Sequence, residues 1–439
     1  MRVTLFQFQY YRHLPLSAVY LASSLEKENI GFDLKLFDVN KFSAPGNNIE
    51  TICSFLADSK EIIAAGCFSD MLPYVLVGLK KIKQSSPKKI IILGGLGPTL
   101  VAEEIFKEFD YIDFIIKGSG TLSLPKLVKR IQSKDSKFND IPGALSRNKN
   151  SSVEDYSHDF FAGAPKVPAY HCIKNIKAYD TFLFKTSYGA CPYKCTFCYV
   201  GSFPDKKIIY RDLNEAIEEI KLIKNIRGKG FLLRIIDEAF ITNRKRVIEF
   251  CNLIRKNKIT IQWACYGRIN VIDEKLLKMM FSSGCRTIIY GIESGSNRVL
   301  KLIKKGFTIE EAKRAVLLTK KIIPHVTTCF IYRFPFETLN DFVDTVIARR
   351  YFKSRNISAP LYPLLPVKNT EIYQQYSRSL VSFNGARYDH MLCGNTVTLP
   401  VECAGLIRNH PRVFYNYGYY NSKDLTKISK FIIKNRNQI

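Results

Sequence analysis

TSYGACPYKCTFCYVG, residues 186–201, places three cysteines in the spacing C-x3-C-x2-C, at Cys191, Cys195 and Cys198. The stretch follows TFLFKT (181–186), a short apolar and β-branched run that reads as a buried strand. Five further strand-like runs come after it, FLLRII, IQWACY, RTIIYG, HVTTCFIY and ISAPLY, separated by segments of helical spacing. Six β-α units over residues 181–355 predict an incomplete parallel barrel, related to the eight-stranded form. The helix signals agree. Asp212 with Glu215 and Thr308 with Glu311 have capping-box spacing, and Gly284 stands where the helix from about Asp273 should end.

In a parallel barrel the site lies at the carboxyl ends of the strands, so the residues following each run carry the functional information. After the first run comes the cysteine loop. Then follow Asp237 and Glu238, Arg268, Glu293 and Ser294, Arg333, and Tyr362. Any one of these alone reads as surface polarity, but six polar or reactive strand ends in succession point to a binding site. No residue among them stands out as catalytic in its own right.

The cysteine spacing separates two metal chemistries. Structural zinc takes four closed ligands, commonly from two C-x2-C pairs, and the nearest further donors here are His171 and Cys172, upstream of the first strand. Three thiolates on one short loop suit three irons of a 4Fe-4S cube, with the fourth iron open to another molecule. Zinc is the weaker reading.

Length, charge and cysteine usage bound the rest. At 439 residues the chain is long enough for two domains and an appendage. No apolar run approaches the roughly 18 residues of a membrane span, and the N-terminus lacks a signal-peptide pattern, so a cytoplasmic location is expected. Twelve cysteines without a secretion signal argue against a disulfide framework; Cys265 and Cys329 read as small buried hydrophobes. The formal net charge of +27 is spread along the chain, mostly on helix faces, and no nucleic-acid signature accompanies it. Solvated faces are the preferred reading, and a nucleic-acid partner ranks below a peptide or small-molecule substrate.

Residues 1–133 show the β-α alternation of a doubly wound parallel sheet, with strands expected at RVTLFQ, DLKLFD, EIIAAG, KKIIIL and DFII. Ligands of such sheets bind beyond the strand ends, which selects the loops GCFSDMLP (66–73), GGLGPT (94–99) and KGSGT (117–121). Residues 134–180 read as a linker with a small hairpin around IPGALSR. Residues 356–439, rich in Pro and Tyr, read as a C-terminal region covering the barrel mouth, closing with a basic helix.

CPYKCTFC resembles the cluster motif of the radical S-adenosylmethionine (SAM) enzymes, with Phe197 at the usual aromatic position before the last cysteine. IDEAF (236–240), CYGRIN (265–270) and GIESGSNRVLKLIKKG (291–306) resemble the SAM-holding strand ends of that family. The resemblance implies that Asp237 and Glu238 lie near the methionine amino group, Arg268 near its carboxylate, and Glu293 and Ser294 near the ribose or methionine. A doubly wound domain before the barrel resembles the cobalamin-dependent subclass, and HLPLSAVYLASSLEK, IIILGGLGPT and DFIIKGSGT are similar to its landmarks. That likeness implies corrin contacts from Ser69, Met71, Leu72, Gly94, Gly95, Gly97, Thr99, Gly118, Ser119 and Gly120.

There are two departures from the family pattern. The sequence contains no D-x-H-x-x-G, so cobalamin is expected without a histidine lower ligand, its lower face meeting loop 66–73 at Met71 or Leu72. FIYRFPFET (330–338) has Arg333 and Phe336 where the family usually has glycine, which reshapes the substrate pocket that Arg333 and Tyr362 are expected to line. The implied activity is methyl transfer by way of methylcobalamin to an unactivated carbon of a peptide or small natural product, with a reducing partner such as flavodoxin or ferredoxin. A non-methylating rearrangement or cyclisation, and RNA or peptide modification without cobalamin, are the alternatives.

Overall fold

The computed structural model describes residues 1–10, 12–39, 48–147, 168–202, 207–385, 387–390 and 395–435. The middle of the expected linker, 148–167, lies outside them. The chain divides into two compact units, Met1–Phe182 with Ser382–Tyr417, and Leu183–Val381 with Gly418–Ile439.

The first unit is built on six strands, β1 (Val3–Gln9), β2 (Phe32–Asp38), β3 (Ile62–Gly66), β4 (Ile90–Gly94), β5 (Phe114–Ile116) and β6 (Ala144–Ser146). Their order is β2-β1-β3-β4-β5-β6, parallel through β5. Both faces are buried, as a parallel sheet requires. One face packs Val3, Leu5, Ile62, Ala64, Ile92 and Ile116 under the helices Leu16–Lys27 and Gly120–Gln132. Phe6, Phe8, Phe37 and Phe55 form an aromatic cluster with ring centroids 5.1 to 6.5 Å apart. Among the described residues IPGALSR forms no hairpin of its own. Ala144–Ser146 instead closes the sheet edge, antiparallel to β5.

Because β2 and β3 lie on opposite sides of β1, the topological switch point lies beyond the ends of β1 and β3, where open α/β sheets take their ligands. The glycines of the neighbouring loops have a local explanation. A Cβ on Gly95 (φ 88°) would come within 2.6 Å of the Cys67 carbonyl oxygen, and one on Gly97 within 2.8 Å of the Phe68 and Ser69 backbone. The Gly97 N–H donates to the Cys67 carbonyl at 3.1 Å. Absence of a side chain therefore lets loop 94–99 lie directly on loop 66–73.

The C-terminal stretch is not one region. The helix Val401–Asn409 packs on the helix Leu72–Ser85, His410 meets Glu108 at 2.9 Å, and the Tyr417 hydroxyl donates to the Asp70 carbonyl at 2.6 Å. These contacts lie in the first unit, and Tyr417 anchors loop 66–73. The basic helix Lys423–Lys434 belongs to the second unit, where Phe431 meets Phe342 at 6.1 Å.

The second unit is the partial barrel. Its strands, β7 (Thr181–Phe184), β8 (Leu232–Ile235), β9 (Gln262–Gly267), β10 (Cys285–Glu293), β11 (His325–Tyr332) and β12 (Leu361–Pro363), neighbour one another in chain order, with every pair from β8 to β12 parallel. The boundary residues of β7 pair with His13–Leu14 on its other side. Thr308 and Glu311 form a full capping box, as do Thr338 and Asp341, while Asp212 caps its helix through the Asn214 N–H at 2.7 Å. Gly284 (φ 103°) closes the helix Glu274–Ser282, and a Cβ there would meet the Ile261 carbonyl oxygen at 2.2 Å.

Gly97→Ala is expected to destabilise the first unit by roughly 1–3 kcal/mol, because the methyl group meets backbone that cannot rotate away. Chemical denaturation checks this; an unchanged midpoint would show that the two loops are not in fixed contact.

Candidate active site

The cysteine loop is tied to the end of β8 by one carboxylate. Asp237, 1% exposed, accepts from the Thr186 N–H at 2.7 Å, the Thr186 hydroxyl at 2.6 Å and the Ser187 hydroxyl at 2.8 Å. Its acceptors thus hold the chain just before the cysteines. The sequence reading missed Thr186 and Ser187, whose only signal was their place between β7 and the cysteine loop.

Glu238, next along, is partly exposed and pairs with Lys185 at 2.5 Å. Burial pushes its carboxyl above the usual range, opposed by the charge of Lys185. The Lys185 ammonium also sits 4.6 Å from the centre of the Tyr188 ring.

Cys191, Cys195 and Cys198 are all half-buried, and none of the three is in a disulfide. The Cys198 N–H closes a turn onto the Cys195 carbonyl at 3.1 Å, and Thr196 between them is held by backbone bonds to Ile303 and Ile372. Burial raises the Cys191 thiol, while Arg268 and Lys305 pull it down. Arg268 Nη1 lies 3.9 Å from Cys195 Sγ and its guanidinium stacks 3.3 Å from the centre of the Tyr193 ring. Its Nη2 donates to the Lys305 carbonyl, and its Nε is buried without an acceptor among the described residues. A positive group thus stands beside the cysteine thiols with donor capacity left over. Phe197 meets Phe334 edge-on at 5.8 Å, and Phe334 stacks on Phe336 at 5.9 Å.

At the end of β10 the register shifts between Gly291 and Glu293, and Glu293 takes a positive φ of 75°. Its carboxylate pairs with Lys305 at 3.2 Å, both side chains buried. Ser294 points elsewhere. It is fully buried, and its hydroxyl bonds Thr345 of the helix Leu339–Lys353 at 3.1 Å and accepts from the Ser296 N–H at 3.1 Å. Gly295 allows this contact, since a Cβ there would lie 2.2 Å from the Asp344 carbonyl oxygen. Arg333 follows β11 at the same end of the barrel, also with a positive φ (71°), and Tyr362 is half-buried on β12.

In the first unit the expected cofactor residues split. Met71 and Leu72, each 1% exposed, begin a core helix and do not present side chains to a ligand. Phe68, 47% exposed, is the most exposed side chain of loop 66–73, and the sequence reading did not single it out. Ser69, Gly94, Gly95, Thr99, Gly118 and Gly120 are at least partly exposed, whereas Gly97 and Ser119 are buried. Ser119 caps the helix Gly120–Gln132, and Thr99 accepts from the Gly118 N–H at 3.2 Å.

Residues 186–347 match the Radical SAM superfamily. The chain carries a radical SAM domain, and it is a radical SAM enzyme. It is 27% identical over 346 residues to a protein of Pyrococcus horikoshii described as an uncharacterized methyltransferase, covering 76% of this chain and 72% of that one. It is 25% identical over 324 residues to the anaerobic magnesium-protoporphyrin IX monomethyl ester cyclase of Rubrivivax gelatinosus, covering 70% of this chain and 57% of the cyclase. The fold is similar to that of the radical SAM methyltransferase TsrM of Kitasatospora setae, with a TM-score of 0.72 and 14% identity over 100% of this chain and 89% of TsrM. It is also similar to the cobalamin-dependent SAM radical enzyme OxsB, with a TM-score of 0.66 and 17% identity over 100% of this chain and 71% of OxsB.

Two outcomes follow. Asp237→Asn replaces an acceptor with a donor facing Thr186 or Ser187 and should cost about 1–3 kcal/mol while lowering iron retained after reconstitution, read by denaturation and metal analysis. Glu337, buried beside Arg333, has its carboxyl pushed up to about 8 by burial. Its contribution to stability is present below the ordinary glutamate range and is lost as pH rises through that value. Glu337→Gln should therefore gain in melting temperature relative to the native chain between about pH 5 and about pH 9. Parallel curves would contradict the burial.

Proposed function

We propose that the chain is a cobalamin-dependent radical SAM methyltransferase acting on an unactivated carbon of a peptide or small natural product. The observation that carries the reading is the cysteine loop, with three half-exposed, reduced thiols in C-x3-C-x2-C spacing and the Arg268 guanidinium beside Cys195.

The donor set fits a 4Fe-4S cluster with three protein thiolates, Cys191, Cys195 and Cys198. Arg268, with its buried Nε still lacking an acceptor, suits the methionine carboxylate of SAM. Glu238 and Glu293 are the carboxylates at the strand ends suited to the ammonium group, and Phe197 adds an aromatic wall. Asp237 acts by positioning the loop, and Ser294 by bracing β10 against the helix Leu339–Lys353. When bound, the cluster and SAM supply radical hydrogen abstraction, and cobalamin supplies a carrier for the methyl group.

In the first unit, Phe68, Ser69, Gly95, Thr99 and Gly118 form the accessible rim near the switch point that suits a corrinoid. Loop 66–73 offers no histidine, so a lower face resting on it would meet Phe68. The likeness to OxsB, whose solved structure has aqua-cobalamin bound, supports this assignment. The likeness to the anaerobic cyclase supports a second outcome, radical cyclisation without methyl transfer.

Anaerobic reconstitution with iron, sulfide and hydroxocobalamin tests both. One cobalt per chain is expected. Once a low-potential reductant such as titanium(III) citrate has brought the cobalt to Co(I), the label of deuterated-methyl SAM should appear on the extracted corrinoid by mass spectrometry, with S-adenosylhomocysteine released. Absence of cobalt would remove cobalamin from the reading. Cobalt without label would favour cyclisation. Cys195→Ala should lose most of the iron.

A further inference from the structure

Several cations of the barrel unit are paired with carboxylates. Lys185 meets Glu238, Lys305 meets Glu293, Arg211 meets Glu219 and Arg298 meets Asp341. Arg246 donates to the carbonyls of Thr186 and Arg211. Arg268, whose Nη2 donates to the Lys305 carbonyl, and Arg333 have no carboxylate partner among the described residues. The Arg333 Nε is buried without an acceptor among them.

The backbone at Arg333 is strained to put it there. A φ of 71° costs a side-chain-bearing residue roughly 1 kcal/mol relative to glycine. Glu337 holds the turn by accepting the Arg333 backbone N–H at 2.5 Å, so the carboxylate nearest in sequence binds the main chain and not the guanidinium. The guanidinium lies 4.4 Å from the centre of the Tyr419 ring, on the segment that pairs with Leu380–Val381 in the same unit. Stacking on an aromatic face orients the plane of an arginine and leaves its edge donors directed outward. Strain of this kind persists where a side chain has a task. Arg234, on β8, likewise has a buried Nε without an acceptor among the described residues.

The geometry points to a substrate that carries a carboxylate, received by Arg333 at the end of β11. A planar guanidinium, oriented by stacking and without an internal partner, matches a carboxylate through two parallel hydrogen bonds. This deepens the functional proposal above and rests on its placement of the substrate at these strand ends. It does not depend on whether the product is methylated or cyclised.

The test uses reconstituted protein with SAM and a panel of free amino acids, aryl carboxylates and peptides with free C-termini, each beside its carboxamide, read by thermal shift. At least one acid is expected to bind the native chain ten-fold or more tightly than its amide. Arg333→Gln should abolish that preference, and Arg333→Lys should keep part of it. Whether the amino-acid, aryl or peptide arm responds identifies the source of the carboxylate. The SAM-induced shift, read in the same plates, reports that each variant is folded. Equal binding of acids and amides, no binding by any acid, or a preference surviving in Arg333→Gln would each overturn the proposal. A native chain that shows no SAM shift would instead contradict the reading of the site itself, and the carboxylate proposal would fall with it.

Discussion

The buried carboxylate of Asp237 joins the end of β8 to the residues that lead from β7 into the cysteine loop. A loop carrying three metal-binding thiols has little regular structure of its own, so its position must be imposed from outside. Three hydrogen bonds converging on one buried carboxyl group do this firmly, since an unmet buried donor is costly. The second constraint comes from the opposite side, where Thr196 is held between the backbones of Ile303 and Ile372. Arg268, Glu238 and the Glu293–Lys305 pair then surround a loop whose location is already determined.

Much of this arrangement was legible in the sequence because it is periodic or local. Strand runs, the Thr308–Glu311 box and the terminating Gly284 depend on neighbours a few residues away. The strand-end rule then brought Asp237, Glu238, Arg268, Glu293 and Arg333 to one end of the barrel. What the rule does not contain is direction. Asp237 and Glu238 are adjacent in sequence, yet one is buried against Thr186 and Ser187 and the other, partly exposed, pairs with Lys185. Ser294 turns toward the helix Leu339–Lys353 because Gly295 lets that helix approach, a contact between segments some fifty residues apart.

The same limit explains the first unit. A glycine-rich loop beyond a parallel strand suggests close approach by a ligand, but Gly95 and Gly97 are also needed by loop 66–73 lying against them. Met71 and Leu72 read as an accessible loop end until the helix beginning there buries both. Phe68 carries no sequence signal beyond being apolar, and its exposure is visible only in three dimensions. The anchoring of that loop by Tyr417 joins residues nearly 350 positions apart, and no period or motif announces it.

The most direct measurement is the electron paramagnetic resonance spectrum of the reduced, reconstituted protein before and after SAM is added. An open iron beside Arg268 predicts that SAM changes the g-values of the cluster signal, and that Arg268→Gln weakens the concentration dependence of that change. Identical spectra with and without SAM would mean that the cysteine loop holds a closed, electron-transfer cluster, and would contradict the site as assigned.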